Sequence, residues 1–119
     1  FQGGPVQTDT LHMIHRVPEI PGRIDVGNGV YWGGSYETLK DMIWRNIFEP
    51  ADMRLFIGYS GWSPGQLEEE MKEGSWLVAD APAGFIFETD PADVWKSAIA
   101  LLGKKYAHLT NFPIDPQLN

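Results

Sequence analysis

The sequence predicts an α+β domain built on a mixed, largely antiparallel, irregular sheet with about three helices. Alternating apolar runs joined by a glycine-rich turn precede the first helical pattern, so strands open the chain. Later short apolar runs alternate with short capped helices, through connections too irregular for a regular doubly wound sheet. An apolar share of 43% and an aromatic share of 13% suffice for a buried core. A length of 119 residues suits one domain rather than two. The expected body is residues 1–103, with residues 104–119 as an extended tail carrying Pro113 and Pro116.

Gly3-Gly4-Pro5 marks a turn. Leu11 to Val17 then reads as a strand, with Leu11, Met13, His15 and Val17 on one face and His12, Ile14 and Arg16 on the other. Pro18 and Pro21 bracket a loop. Arg23 to Val26 and Val30 to Gly33 flank Gly27-Asn28-Gly29, a tight-hairpin signal because glycine and asparagine tolerate positive φ. Ser35 is a good N-cap, and the helix behind it places Tyr36, Leu39, Ile43 and Ile47 on one stripe. Met53 to Tyr59 is apolar on both faces, which predicts a central strand.

That strand runs into the densest group of local signals, Gly58 to Trp76. Ser63 is the expected N-cap, Pro64 the first helical residue, and Gln66 the return partner of a capping box. Trp62 and Leu67 occupy the staple positions, Leu67 and Met71 form a short inward stripe, and Gly74 is a left-handed C-cap. Trp76 to Ala79 and Phe85 to Glu88 read as strands separated by Ala81-Pro82-Ala83-Gly84. Asp90 and Pro91 open a last helix with Val94, Trp95, Ala98, Ile99 and Leu102 buried, closed by Gly103.

The formal net charge of −7 argues against direct nucleic-acid contact, which depends on lysine and arginine neutralising phosphates. The absence of cysteine excludes disulfides, thiolate metal sites and a cysteine nucleophile, and fits a cytoplasmic location. No apolar run approaches the roughly 20 residues that cross a bilayer, and no membrane partner is expected. The chain opens on Phe1-Gln2-Gly3 without a methionine and reads as a piece of a longer protein.

Gly3-Gly4-Pro5-Val6, Ile14-His15, the run Phe56-Ile57-Gly58-Tyr59-Ser60-Gly61-Trp62-Ser63-Pro64-Gly65-Gln66-Leu67-Glu68 and Trp76-Leu77-Val78 together resemble the AlgH/YqgE family of bacterial proteins. Phe85-Ile86-Phe87, Trp95 and Leu102-Gly103 follow in the family's order. The resemblance implies an α+β fold with coiled sheets and a segment before the Gly-Gly-Pro turn that this chain lacks. It implies little about activity, although one branch of the family is associated with transcriptional control of exopolysaccharide synthesis.

Several chemistries are open to the residues themselves. Gly58-Tyr59-Ser60-Gly61-Trp62 sits where a strand turns into a helix, but Trp62 stands where a nucleophile elbow needs its second glycine. A hydrolase would pair Ser60 with His15. An anion at the N-terminus of the following helix would compete with Ser63, Gln66 and three glutamates. His12 and His15 are three apart on a strand, so they face opposite ways and no shared metal is expected. For the five tryptophans core packing is the default, as it is for His15, and Glu68-Glu69-Glu70 with Glu73 reads as a solvated face. The expectation is a non-enzymatic regulatory or binding module without cofactor, meeting a protein, a small ligand or a second copy of itself. Its surface would comprise His15, Gly58, Tyr59, Ser60, Gly61, Trp62, Gly65 and Gln66.

Overall fold

Alternation around Met13 and His15 builds the strand on which the rest of the sheet is hung. In the computed structural model, which describes residues 1–111, β1 runs Val6–His15. A hairpin follows, β2 (Ile24–Gly27) and β3 (Val30–Trp32), with Asn28 at φ 55° in its turn. Asparagine supplies the left-handed turn that the Gly-Asn-Gly signal predicts. The last strand is β4, Met53–Tyr59.

The order is β2-β3-β1-β4 with every pair antiparallel. Two apolar faces do not make β4 central: it lies at the end of the sheet. Its outer edge is met instead by the first residues of the chain. There the Ile57 amide donates to the Phe1 carbonyl and the Gly3 amide to the Ile57 carbonyl, both at 2.8 Å. The β1–β4 register sets His15 opposite Met53, His12 opposite Phe56 and Val6 opposite Tyr59, with a bulge between Val6 and Leu11.

Helix α1, Tyr36–Trp44, packs on one side of this sheet. Ser35 Oγ accepts from the Thr38 amide at 3.2 Å, the N-cap expected of a serine at that position. Asn46 at φ 56° stops the helix, with its amide on the Ile43 carbonyl and the Ile47 amide on the Met42 carbonyl. That is a Schellman stop with asparagine in glycine's usual place. The helix therefore ends before Ile47, and the buried stripe is rotated: Leu39 is buried, Met42 packs beside it, and Ile43 and Ile47 are exposed. Leu39 joins Met13, Val17, Ile20 and Met53 in one core, with Phe48 at its margin. Each of these side chains contributes about 1.5–3 kcal/mol by leaving water.

These elements form a compact unit, Phe1–Gly61; a second unit is Trp62–Asn119. In the latter, α2 spans Gln66–Lys72, α3 Ala83–Glu88 and α4 Val94–Leu101. The α2 stop is a full Schellman motif: Gly74 at φ 72°, its amide on the Met71 carbonyl and the Ser75 amide on the Glu70 carbonyl. Asp90 Oδ1 accepts from the Ala92 amide at 2.9 Å and caps the 3₁₀ turn Pro91–Asp93 that leads into α4. Gly103, at φ 90°, follows the α4 stop.

Five expectations fail here. Residues 76–79 form no strand, and Phe85 to Glu88 belong to α3. A short apolar run has no periodicity that separates strand from helix, and a strand also needs an edge to pair with. Leu67 and Met71 are exposed rather than buried, and of the stripe expected on α4 only Ile99 is buried, with Val94, Ala98 and Leu102 half-buried and Trp95 exposed. The first part of the expected extended tail, Lys104–Asn111, is a 3₁₀ helix; Pro113 and Pro116 lie outside the described residues. The α+β class itself stands, and among the described residues no helix is long and apolar enough to cross a membrane.

Candidate functional site

Three glycines from two distant segments explain each other. A Cβ on Gly4 would lie 2.2 Å from the Tyr59 carbonyl carbon, and one on Gly3 2.4 Å from the Gly58 oxygen. A Cβ on Gly58 would lie 2.5 Å from the Gly4 oxygen, and Gly58 also holds φ at 72°. Backbone meets backbone with no room for a side chain. The Gly-Gly-Pro turn and the glycine at the end of β4 are thus one packing contact, and Gly58 is structural.

Beside this crossing, on the sheet face turned away from Met13 and His15, lies a groove of about 600 Å³. Ile14, Trp32, Phe56 and Tyr59 line it together with Gln2, Gly3, His12, Gly58 and Ser60. Register brings the rings together. His12 stacks on Trp32 at 6.1 Å with 12° between planes, and Tyr59 meets His12 edge-on at 5.7 Å. Strand alternation turns His12 and Ile14 to this side because Met13 and His15 take the core side.

His15 belongs to the interior. It is fully buried, its Nδ1 accepts from the Val17 amide at 3.2 Å, and its Nε2 lies 2.8 Å from the Gly33 carbonyl. Since Nδ1 accepts, Nε2 carries the proton and donates to Gly33. Neither nitrogen is free to act as a base. Ser60 follows Tyr59 at one end of β4, whereas His15 faces Met53 at the other. Six residues of strand put them roughly 20 Å apart. The Ser60–His15 pair that a hydrolase would need is not assembled, and His15 is not part of the groove.

Trp62, Gly65 and Gln66 are also absorbed by folding, within the second unit. Ser63-Pro64-Gly65-Gln66 forms a turn closed by the Gln66 amide on the Ser63 carbonyl at 3.0 Å, with Gly65 at φ 81°. Proline then positive-φ glycine is the chemistry of a type II turn, so α2 starts at Gln66 rather than Pro64. Gln66 does reach back: its Oε1 accepts from both the amide and the Oγ of Ser63 at 3.0 Å. Its Nε2 donates to Glu70 Oε1 at 2.9 Å. Glu70 Oε2 accepts the indole N–H of Trp62 at 3.0 Å and of Trp76 at 2.7 Å, and the two indoles meet at 5.6 Å. The Trp76, Gln66 and Trp62 donors, in that order, hold the Glu70 carboxyl below its ordinary value of 4.5. Glu70 is therefore a clamp across the short helix and not one of a row of solvated acids. With Gln66 on Ser63 and Glu68 and Glu69 in its first turn, α2 offers an anion nothing.

None of the five tryptophans is buried; exposure runs from 37% for Trp95 to 90% for Trp44. Indoles are amphipathic, and an N–H that reaches a carboxylate or carbonyl keeps a ring near the surface. Of the predicted surface, Tyr59 and Ser60 line the groove, and Gly61 follows them. Of the three predicted glycines, Gly61 is the one that neither packing nor a positive φ demands, because a Cβ there would meet only the Tyr59 ring, at 3.5 Å. The groove adds His12, Trp32 and Phe56, which sequence reasoning passed over. The signal was present for His12 and Ile14: both were already assigned to the face opposite the core. Trp32 and Phe56 join them through cross-strand register, which no local pattern reveals.

A family model described as AlgH-like matches residues 1–107. The UPF0301 protein of Chlorobium limicola is 43% identical over 118 residues, covering 98% of this chain and 63% of that protein. The UPF0301 protein of Bacteroides thetaiotaomicron is 38% identical over 119 residues, covering 100% of this chain and 61% of the relative. The chain thus spans less than two thirds of the length of these curated relatives. Among solved structures, the solution structure of the AlgH protein from Pseudomonas aeruginosa superposes with a TM-score of 0.69 at 28% identity, over 97% of this chain and 60% of that one.

Proposed function

The chain belongs to the AlgH-like family, and from that premise we propose that it is a bacterial, cytoplasmic binding module rather than a catalyst, taking its ligand in the groove beside Tyr59. The observation that carries this reading is the groove itself: about 600 Å³ lined by Ile14, Trp32, Phe56 and Tyr59 with the polar residues Gln2, His12 and Ser60 among them. Small-ligand sites are concave, mostly apolar, and oriented by a few polar groups. A hydrolytic reading has no support in the geometry, because among the described residues no hydrogen bond links Ser60 to a histidine and His15 pairs with Met53 at the far end of β4. Direct DNA contact is disfavoured by the charge of −7. A regulatory role would then follow from occupancy of the groove, transmitted to a protein partner.

A screen of neutral aromatic fragments, followed by amide and side-chain NMR shifts, tests the proposal. Shifts should cluster on His12, Trp32, Phe56, Tyr59 and Ser60. In Trp32→Ala they should vanish while the melting transition stays within a few degrees of wild type. Shifts that gather elsewhere, or persist undiminished in Trp32→Ala, would overturn it.

A further inference from the structure

Resting on that binding reading, we infer that the groove selects a neutral, flat ligand carrying an N–H or O–H donor, and that His12 Nδ1 is the acceptor for that donor. Thr10 sets the tautomer. Its Oγ1 donates to the Gln7 carbonyl at 2.7 Å; a carbonyl only accepts, so the single hydroxyl proton is committed there. The same oxygen lies 3.0 Å from His12 Nε2. With its proton committed it can only accept, and Nε2 must carry the hydrogen. In the neutral ring Nδ1 is then a bare lone pair.

The two histidines of β1 differ at this atom. His15 Nδ1 is filled by the Val17 amide, whereas His12 Nδ1 has no partner among the described residues. His12 lines the groove and His15 does not. A ligand donor is the complement of that open lone pair.

The ligand's other properties follow from the lining. Trp32 lies nearly parallel to His12 and Tyr59 stands edge-on to it, an arrangement that favours an aromatic guest. None of the lining residues is Lys, Arg, Asp or Glu. A phosphate or carboxylate would find no counter-charge, and an ammonium no carboxylate, so a neutral body is favoured.

Indole and benzofuran are flat and nearly isosteric, and only indole has an N–H to donate. Titrated into the protein above the range in which imidazoles protonate, indole should bind about fivefold tighter, the usual worth of one hydrogen bond. His12→Phe keeps a ring in place and removes the acceptor; both probes should then bind alike. Thr10→Val frees the tautomer, and ¹⁵N shifts of the His12 ring should move from the Nε2–H pattern toward a mixture while the indole preference shrinks. Equal binding of the two probes to the wild type, both shifting the groove residues, would overturn the donor inference and leave the binding reading standing. A preference that survives His12→Phe would overturn it as well. Binding of neither probe would remove both.

Discussion

The two compact units, Phe1–Gly61 and Trp62–Asn119, hold their shapes by different means. In the first, the important contacts join residues far apart in the chain: β1 to β4, Gly4 to Tyr59, Met13 and Met53 to Leu39. In the second, the devices are local. Gly74 stops α2, Asp90 caps the turn before α4, and Glu70 ties Trp62 to Trp76 across one helix. Burial follows the same division. Met13, Val17, Ile20, Val30, Leu39, Met53 and His15 are buried in the first unit; in the second, only Phe87 and Ile99 among the described residues. The difference teaches where each unit is vulnerable. A unit held by distant backbone contacts can be undone at one position that no local rule marks as critical, whereas a unit held by caps loses stability in small steps.

The strongest way to break this comparison is at the glycine crossing. Gly4→Ala and Gly58→Ala each press a methyl group into backbone that cannot step aside, and Gly58→Ala adds the strain of φ at 72°. Each should lose about 3 kcal/mol or more in urea unfolding. A midpoint near wild type for either would show that the crossing is slack and that the first unit does not depend on it.

A middle-sized effect is expected at His15. His15→Leu keeps the volume roughly but leaves the Val17 amide and the Gly33 carbonyl without the partners they now have. Each group so stranded costs about 1–3 kcal/mol. Equilibrium unfolding checks this, and an effect below the lower bound would mean that water replaces the ring at no cost.

The smallest effect sharpens the other side of the comparison. Glu70 has its folded-state carboxyl held below the ordinary 4.5, chiefly by the Trp76 indole N–H. A depressed carboxyl contributes stability that is fully present above the ordinary value and is lost as pH falls through the lowered folded value. Because Glu70 is no more than half-buried, the change in melting temperature should be slight. Trp62 and Trp76 fluorescence should still titrate with a midpoint under 4.5. Glu70→Gln should abolish that transition. A midpoint at or above the ordinary value would mean that the indoles do not hold the carboxylate.

How much of this was legible in the sequence depends on the range of the interaction. The caps at Ser35, Gly74, Asp90 and Gly103 were readable because a cap and its partner lie within a few residues. The alternation of Met13 and His15 against His12 and Ile14 was readable for the same reason. The wrong assignments came from longer range. Phe85 to Glu88 could be strand or helix on its own composition, because a run of four apolar and polar residues is too short to show a period. Glu70 looked like one acid in a row until Trp62 and Trp76 arrived from either side of α2.

For the candidate site the division is sharper. Tyr59, Ser60 and Gly61 stood out as residues that local folding rules left unexplained, and Tyr59 and Ser60 do line the groove. His15 drew attention as a histidine, yet its ring is consumed by the interior, while His12, on the opposite face, reaches the open side of the sheet. What the sequence determines by itself is therefore the turns, the caps and the two faces of β1, all settled by steric and hydrogen-bonding rules acting over a few residues. Only the tertiary structure decides which face α1 covers, which glycines touch, and which aromatic rings meet across β1, β3 and β4. Those outcomes depend on cross-strand register and on a shared core, which exist only after distant segments have come together.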